Sequence, residues 1–63
     1  MITPVYNKSL LIEIRNAKKI SYEDLYHAFG HGNQTMFDLE LSTLESIGCI
    51  KIEDDVIEFI RNP

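Results

Sequence analysis

The chain has 63 residues, a net charge of −4, one cysteine and a hydrophobic fraction of 44%. The length predicts a single small domain, and the hydrophobic fraction is too high for a disordered tail. Because Cys49 has no second cysteine to pair with, an internal disulfide is excluded. The sequence has no long apolar run, so we expect no leader peptide and no membrane-spanning helix. We therefore expect a single cytoplasmic domain, residues 1–63, in a reducing compartment.

The first predicted element is a helix over about residues 5–19. Apolar residues recur along it at helical spacing, namely Tyr6, Leu10, Ile14 and Ala17. Two residues can cap its start: Thr3, which is followed by a proline, and Asn7. Lys18 and Lys19 are expected to close the helix, where cations suit the negative end of its dipole.

The second predicted helix covers about residues 22–29. Ser21 and Asp24 have the spacing of a capping box, which marks a helix start. A short buried stripe is expected to follow, formed by Leu25, Ala28 and Phe29. Gly30 is expected to end the helix in the left-handed conformation, and Ile20 is placed in a short strand before the cap.

The third predicted helix covers about residues 34–47. Thr35 and Asp38 repeat the capping-box spacing, although Asn33 can cap instead. Apolar positions spaced for one helical face follow, namely Phe37, Leu41, Leu44 and Gly48. Gly48 is the expected stop.

A hairpin is predicted over about residues 49–60, because apolar and polar residues alternate in IKIE and again in VIEF. The register that satisfies both strands has Ile52 facing Ile57, Ile50 facing Phe59 and Lys51 facing Glu58. Asp54 and Asp55 form the tip, either as a tight turn that needs positive φ at both residues or as a looser loop. Cys49 and Ile60 are expected to share the outward face with Lys51 and Glu58.

This order of elements resembles the winged helix-turn-helix family. The segment LSTLESIGCI, residues 41–50, is similar to the end of that family's third helix and the start of its wing, and Ile20 to Leu25 resembles its short strand and second-helix start. The resemblance implies a mainly α fold of three helices with a small β-hairpin. It also implies duplex DNA binding in gene regulation, with the third helix in the major groove.

The charge of the third helix does not match that role. Residues 21–50 contain five acidic residues and no lysine or arginine. The predicted outward face carries hydroxyl groups and one leucine, from Thr35, Leu39, Ser42, Thr43 and Ser46. Asp38 and Glu45 border it on one side, and Glu40, Met36 and Ile47 on the other. Affinity for duplex DNA comes mostly from cations that neutralise phosphates. Because this helix has no lysine or arginine, it is poorly suited to bind duplex DNA.

Three hypotheses for function follow. The first is a regulatory or adaptor protein that binds a protein partner or a second copy through a surface made of Met36, Leu39, Glu40, Ser42, Thr43 and Ser46. The alternative is a dimeric DNA-binding transcriptional regulator, in which the contacts come from Arg15, Lys18, Lys19, Thr35, Ser42, Thr43 and Lys51. The third is an acidic mimic of nucleic acid.

Catalytic and metal chemistry are not expected. His27 and His31 have the i, i+4 spacing of metal ligands on a helix, but the helix is predicted to end at Gly30 between them. No cation adjoins Cys49 in sequence to activate a thiol, and no set of nucleophile, base and orienting residue is present. We therefore predict no enzyme, no metal and no cofactor.

Overall fold

The computed structural model describes residues 6–30 and 32–63, so Thr3 and His31 lie outside the described residues. The elements are α1 (Lys8–Ala17), β1 (Lys19–Ser21), α2 (Tyr22–Phe29), α3 (Gln34–Ser46), β2 (Ile50–Glu53) and β3 (Val56–Phe59). This confirms a mainly α fold with a small hairpin, in the order of a winged helix. Within the described ranges, no helix is both long and apolar enough to cross a bilayer.

Helix α1 is shorter than predicted at its C-terminal end. Its cap is Asn7, whose side chain accepts the Leu10 N–H at 3.1 Å. The helix ends at Ala17 because Lys18 adopts φ 67° and ψ −50°, which turns the chain out of the helix. Lys19 therefore lies in β1, and the prediction that it closes the helix is wrong. Ala17, placed in the apolar stripe, is exposed.

Helix α2 has the predicted bounds, and the Ser21 hydroxyl accepts the Asp24 N–H at 3.1 Å. Gly30 ends the helix as predicted, but it has the right-handed values φ −71° and ψ −30°, so the predicted left-handed conformation is wrong. A β-carbon at Gly30 would lie 2.1 Å from Cδ1 of the Tyr26 ring, so the space beside the ring is what requires glycine. Leu25 is buried, whereas Ala28 is exposed and does not belong to a buried stripe.

Helix α3 is capped by the alternative residue. The Asn33 side chain accepts the Met36 N–H at 3.1 Å, so the predicted capping box from Thr35 to Asp38 does not form. Phe37, Leu41 and Leu44 are buried as predicted. The helix ends at Ser46, and the chain turns toward the hairpin through Gly48 at φ +80°.

The sheet is antiparallel with strand order β1-β3-β2. The predicted hairpin register is confirmed, with Ile50 opposite Phe59, Lys51 opposite Glu58 and Ile52 opposite Ile57. Ile20 pairs with the other edge of β3, which confirms the short strand. The tip is the tight form, with φ 51° at Asp54 and 60° at Asp55.

The core lies between the three helices and one face of the sheet. Its buried residues are Leu10, Leu11, Ile14, Leu25, Phe37, Leu41, Leu44, Cys49, Ile50 and Ile57. Cys49 is 0% exposed, so its predicted place on the outward face is wrong. Its N–H donates to the Leu44 carbonyl and its carbonyl accepts the Ile60 N–H, which holds this residue at the junction of α3 and the sheet.

The hairpin tip provides a stability test. Replacing Asp54 with Asn and Asp55 with Gly is expected to raise the free energy of unfolding by about 1 kcal/mol, because Asn-Gly tolerates two positive φ angles better than Asp-Asp. Urea denaturation measures the change. The control, Asp54→Asn with Asp55→Ala, removes the same two charges but keeps a β-carbon at the second position. An equal gain in both variants would assign the effect to charge instead of backbone conformation.

Candidate functional site

The outward face of α3 carries two exposed hydrophobic side chains one helical turn apart. Leu39 is 61% exposed and Met36 is 52% exposed. They are the two most exposed large hydrophobic residues in the part of the chain that the structure describes. Since contiguous exposed apolar surface is typical of binding sites, this pair is the centre of the candidate site.

Met36 and Leu39 lie along a groove between the beginning of α1 and the outward side of α3. This feature, the α1–α3 groove, has a volume of about 380 Å³ and is lined by Tyr6, Asn7, Met36, Leu39, Glu40 and Thr43. Tyr6 is half-buried and packs against the core. Its aromatic ring therefore extends the apolar surface of α3 toward α1.

A hydrogen bond between the two helices fixes one side of the groove. The Asn7 amide nitrogen donates to the Glu40 carboxylate at 2.6 Å, while the amide oxygen of the same residue caps α1. Asn7 thus joins the start of α1 to the middle of α3. Because an amide carries no charge, Glu40 keeps its negative charge at the edge of the groove.

A second hydrogen bond ties α3 to α2. The Tyr22 hydroxyl donates to the Asp38 carboxylate and accepts from the Gln34 amide nitrogen at 3.3 Å. The bond to Asp38 raises the pKa of Tyr22, because losing the proton would leave two negative oxygens in contact. Tyr22 therefore stays protonated at neutral pH and continues to donate to the Asp38 carboxylate, on the side of α3 that faces α2.

The structure brings together most of the surface predicted from sequence. Met36, Leu39, Glu40 and Thr43 line the α1–α3 groove. Ser42 and Ser46 are exposed on α3 but are not part of its lining. The Thr43 hydroxyl donates to the Leu39 carbonyl at 3.0 Å.

One residue predicted to border the outward face of α3 lies elsewhere. Ile47 is half-buried and packs against the core, so its predicted place beside Met36 and Leu39 is wrong. Tyr6 and Asn7 were predicted for the first helix but not as members of the site. The hydrogen bond from Asn7 joins residues 33 positions apart, and no local pattern in the sequence indicates such a contact.

The cations assigned to the DNA-binding alternative lie away from α3. Arg15, Lys18 and Lys19 line a second groove with Ala17, Glu58 and Phe59, and no residue of α3 contributes to it. We call this the basic groove. Thr35, Ser42 and Thr43, assigned to read DNA with these cations, are all on α3. The structure does not bring the two sets together.

Two of the lysines predicted to contact phosphates lie beside carboxylates in the structure. Lys51 lies 3.0 Å from the Glu53 carboxylate, and that hydrogen bond raises the pKa of Lys51. Lys19 lies 3.9 Å from the Glu58 carboxylate. Both pairs are exposed, so each is weak, but each reduces the positive field around the hairpin.

Comparisons of the chain with protein-family models, with curated proteins and with solved structures find no match. The resemblance to the winged-helix family therefore stays a prediction, although the order of elements agrees with it. Among residues 6–30 and 32–63, no three potential metal ligands are grouped together.

The α1–α3 groove is suited to bind an apolar side chain that lies beside a cation. Met36 and Leu39 supply adaptable apolar surface. Asp38, Glu40 and Glu45 supply negative charge along the same helix, and α3 contains no lysine or arginine to neutralise it.

Proposed function

We propose that this chain is a small non-catalytic regulatory or adaptor domain that binds a protein partner through the α1–α3 groove. The observation that carries the proposal is the exposure of Leu39 and Met36, 61% and 52%, at the edge of a groove between two helices. The partner has an apolar side chain that enters the groove and basic residues around it, since the edge of the groove is acidic. A role in gene regulation is compatible with this mode of binding.

The energetics support a modest but specific contact. Burying a fully exposed leucine side chain is worth about 1.5–3 kcal/mol. Leu39 and Met36 are 61% and 52% exposed, so a partner that covers them gains somewhat more than half of that from each. Acidic groups at the edge mainly set the association rate and the choice of partner. The hydrogen bond from Asn7 holds Glu40 in place at the groove before a partner binds, and the bond from Tyr22 holds Asp38 on the α2 side of the same helix.

The charge distribution favours a protein partner over duplex DNA. Helices α2 and α3 contain no lysine or arginine, so a phosphate backbone beside α3 would meet hydroxyl groups and carboxylates but no lysine or arginine. The free energy of DNA binding comes largely from cations that displace counterions. Those cations lie in the basic groove and around the hairpin, apart from the hydroxyl groups of α3.

The test is a comparison of two lysine substitutions. Leu39→Lys is expected to weaken partner binding by about 10-fold or more, because it puts a charge in place of the apolar surface that the partner would cover. The matched control is Ile12→Lys on α1, which alters a side chain that is 47% exposed and lies outside the α1–α3 groove. Affinity capture with the unaltered chain and both variants, read by mass spectrometry, measures the difference, and circular dichroism verifies that each variant is folded.

Captured proteins that are lost with Leu39→Lys and retained with Ile12→Lys support the proposal. An unchanged set of captured proteins with Leu39→Lys contradicts it. A gel-shift assay with random duplex DNA at low salt tests the alternative directly. Binding that depends steeply on salt and is lost in Arg15→Gln would favour DNA binding instead.

A further inference from the structure

The basic groove has the opposite chemistry to the α1–α3 groove. Arg15, Lys18 and Lys19 line it against a single carboxylate, Glu58, which leaves a local charge of +2. Ala17 and the half-buried ring of Phe59 form its apolar part, and its volume is about 680 Å³. The groove therefore offers apolar surface bordered by cations.

Lys18 is held in this groove at a conformational cost. Its angles, φ 67° and ψ −50°, are rare and strained for a residue that has a β-carbon. Two backbone hydrogen bonds hold it there: its N–H donates to Ile14 at 2.8 Å, and its carbonyl accepts from Phe59 at 2.9 Å. Glycine would relieve the strain, so a lysine at this position points to a use for its charge.

The two grooves lie at opposite ends of α1. Asn7, the N-terminal cap, lines the α1–α3 groove, and Lys18, the C-terminal cap, lines the basic groove. A helix of this length spans about 15 Å. One end of the molecule thus presents exposed leucine and methionine beside carboxylates, and the other presents an aromatic ring beside cations.

We propose that the basic groove binds the α3 face of a second copy of this chain. Leu39 and Met36 of the second copy would pack on Phe59 and Ala17. Arg15 and Lys18 would face Asp38, Glu40 and Glu45 of the second copy. This inference rests on the proposed function, because it names the partner of the α1–α3 groove.

The complementarity of the two faces is what selects this occupant. The partner of the α1–α3 groove must combine apolar surface with cations, and the basic groove combines both. The partner of the basic groove must combine apolar surface with acids, as α3 does. In such a contact one copy uses its basic groove and the other uses its α3 face, so association is head-to-tail. Each copy in a dimer has one face left over, and association therefore continues into rings or short chains.

Sedimentation velocity over a concentration series tests this inference with two variants. Leu39→Lys disables the α3 face, and Arg15→Gln with Lys18→Gly removes two cations from the basic groove. The second variant also relieves the strain at residue 18, so its folding is not at risk. Each variant alone is expected to associate at least about tenfold more weakly than the unaltered chain, whereas Ile12→Lys is expected to associate normally.

A mixture of the two variants gives the sharpest result. The Leu39→Lys chain keeps an intact basic groove, and the chain with Arg15→Gln and Lys18→Gly keeps an intact α3 face. These two surfaces can bind each other once, so an equimolar mixture is expected to form a one-to-one dimer and nothing larger. Association should also weaken as salt rises from about 0.1 M to about 1 M, which shortens the screening length from about 10 Å to about 3 Å.

Two results would overturn the inference: an unaltered chain that stays monomeric at millimolar concentration in low salt, or a variant with Arg15→Gln and Lys18→Gly that associates normally. If the chain is monomeric but Leu39→Lys still loses captured proteins, the head-to-tail contact fails and the proposed function stands. If Leu39→Lys changes neither capture nor self-association, both fail.

Discussion

Replacing Phe37 with alanine is expected to lower the free energy of unfolding by about 3–5 kcal/mol. Phe37 is 2% exposed, and its ring contacts Tyr22 and Tyr26 edge-on at centroid distances of 5.3 and 5.2 Å. A domain of this size has a total stability of only about 3–9 kcal/mol. We therefore expect Phe37→Ala to remove at least about a third of the total stability of the domain.

Urea denaturation followed by circular dichroism measures this effect. Ile60→Ala is the control, because it removes a comparable hydrophobic side chain that is 48% exposed, and its cost should be small. A loss below about 1 kcal/mol for Phe37→Ala would mean that the aromatic cluster of Tyr22, Tyr26 and Phe37 is not the centre of the contact between α2 and α3.

Gly30→Ala is expected to destabilise the fold by about 1–3 kcal/mol, through steric overlap alone. Gly30 has right-handed helical angles, at which alanine ordinarily adds stability. Here the new methyl group would lie 2.1 and 2.2 Å from two atoms of the Tyr26 ring and 2.7 Å from the Tyr26 carbonyl oxygen. The ring would have to move, and its contacts with Phe37 and Tyr22 would be lost.

Gly32→Ala is the matched control, because Gly32 has φ +76° and no atom within 4 Å of an added β-carbon. Its cost should be about 1 kcal/mol and should come from backbone conformation only. Combining Gly30→Ala with Tyr26→Ala separates the causes further, because without the ring much of the overlap disappears. A Gly30→Ala variant that is more stable than the unaltered chain would show that the ring moves away at little cost.

Both of these substitutions bear on function through the position of α3. Phe37 lies one residue after Met36, and the Tyr22 side chain that packs on Phe37 also bonds Asp38. The same cluster therefore anchors α3 and sets the direction in which Met36 and Leu39 face. Variants that loosen the cluster while leaving the chain folded should weaken binding at the α1–α3 groove without any change to its lining residues.

The sequence by itself determined the type and order of the elements. Helical spacing placed Phe37, Leu41 and Leu44 in the core, and strand alternation set the hairpin register. Both signals are local, because the side chains that carry them are a few residues apart and share one face of one element. The same spacing placed Leu39 on the outward side of α3, where it is exposed.

Tertiary structure decided what depends on neighbours from distant parts of the chain. Cys49 and Ile47 turned inward because α3 and the sheet meet around them, and glycine is required at position 30 because of the Tyr26 ring. Only packing joined Asn7 to Glu40 across 33 positions, which completed the α1–α3 groove. Packing also brought Arg15, Lys18 and Lys19 together with Phe59 at the other end of α1. Periodicity reports which face of an element is apolar, but it carries no information on which other element covers that face.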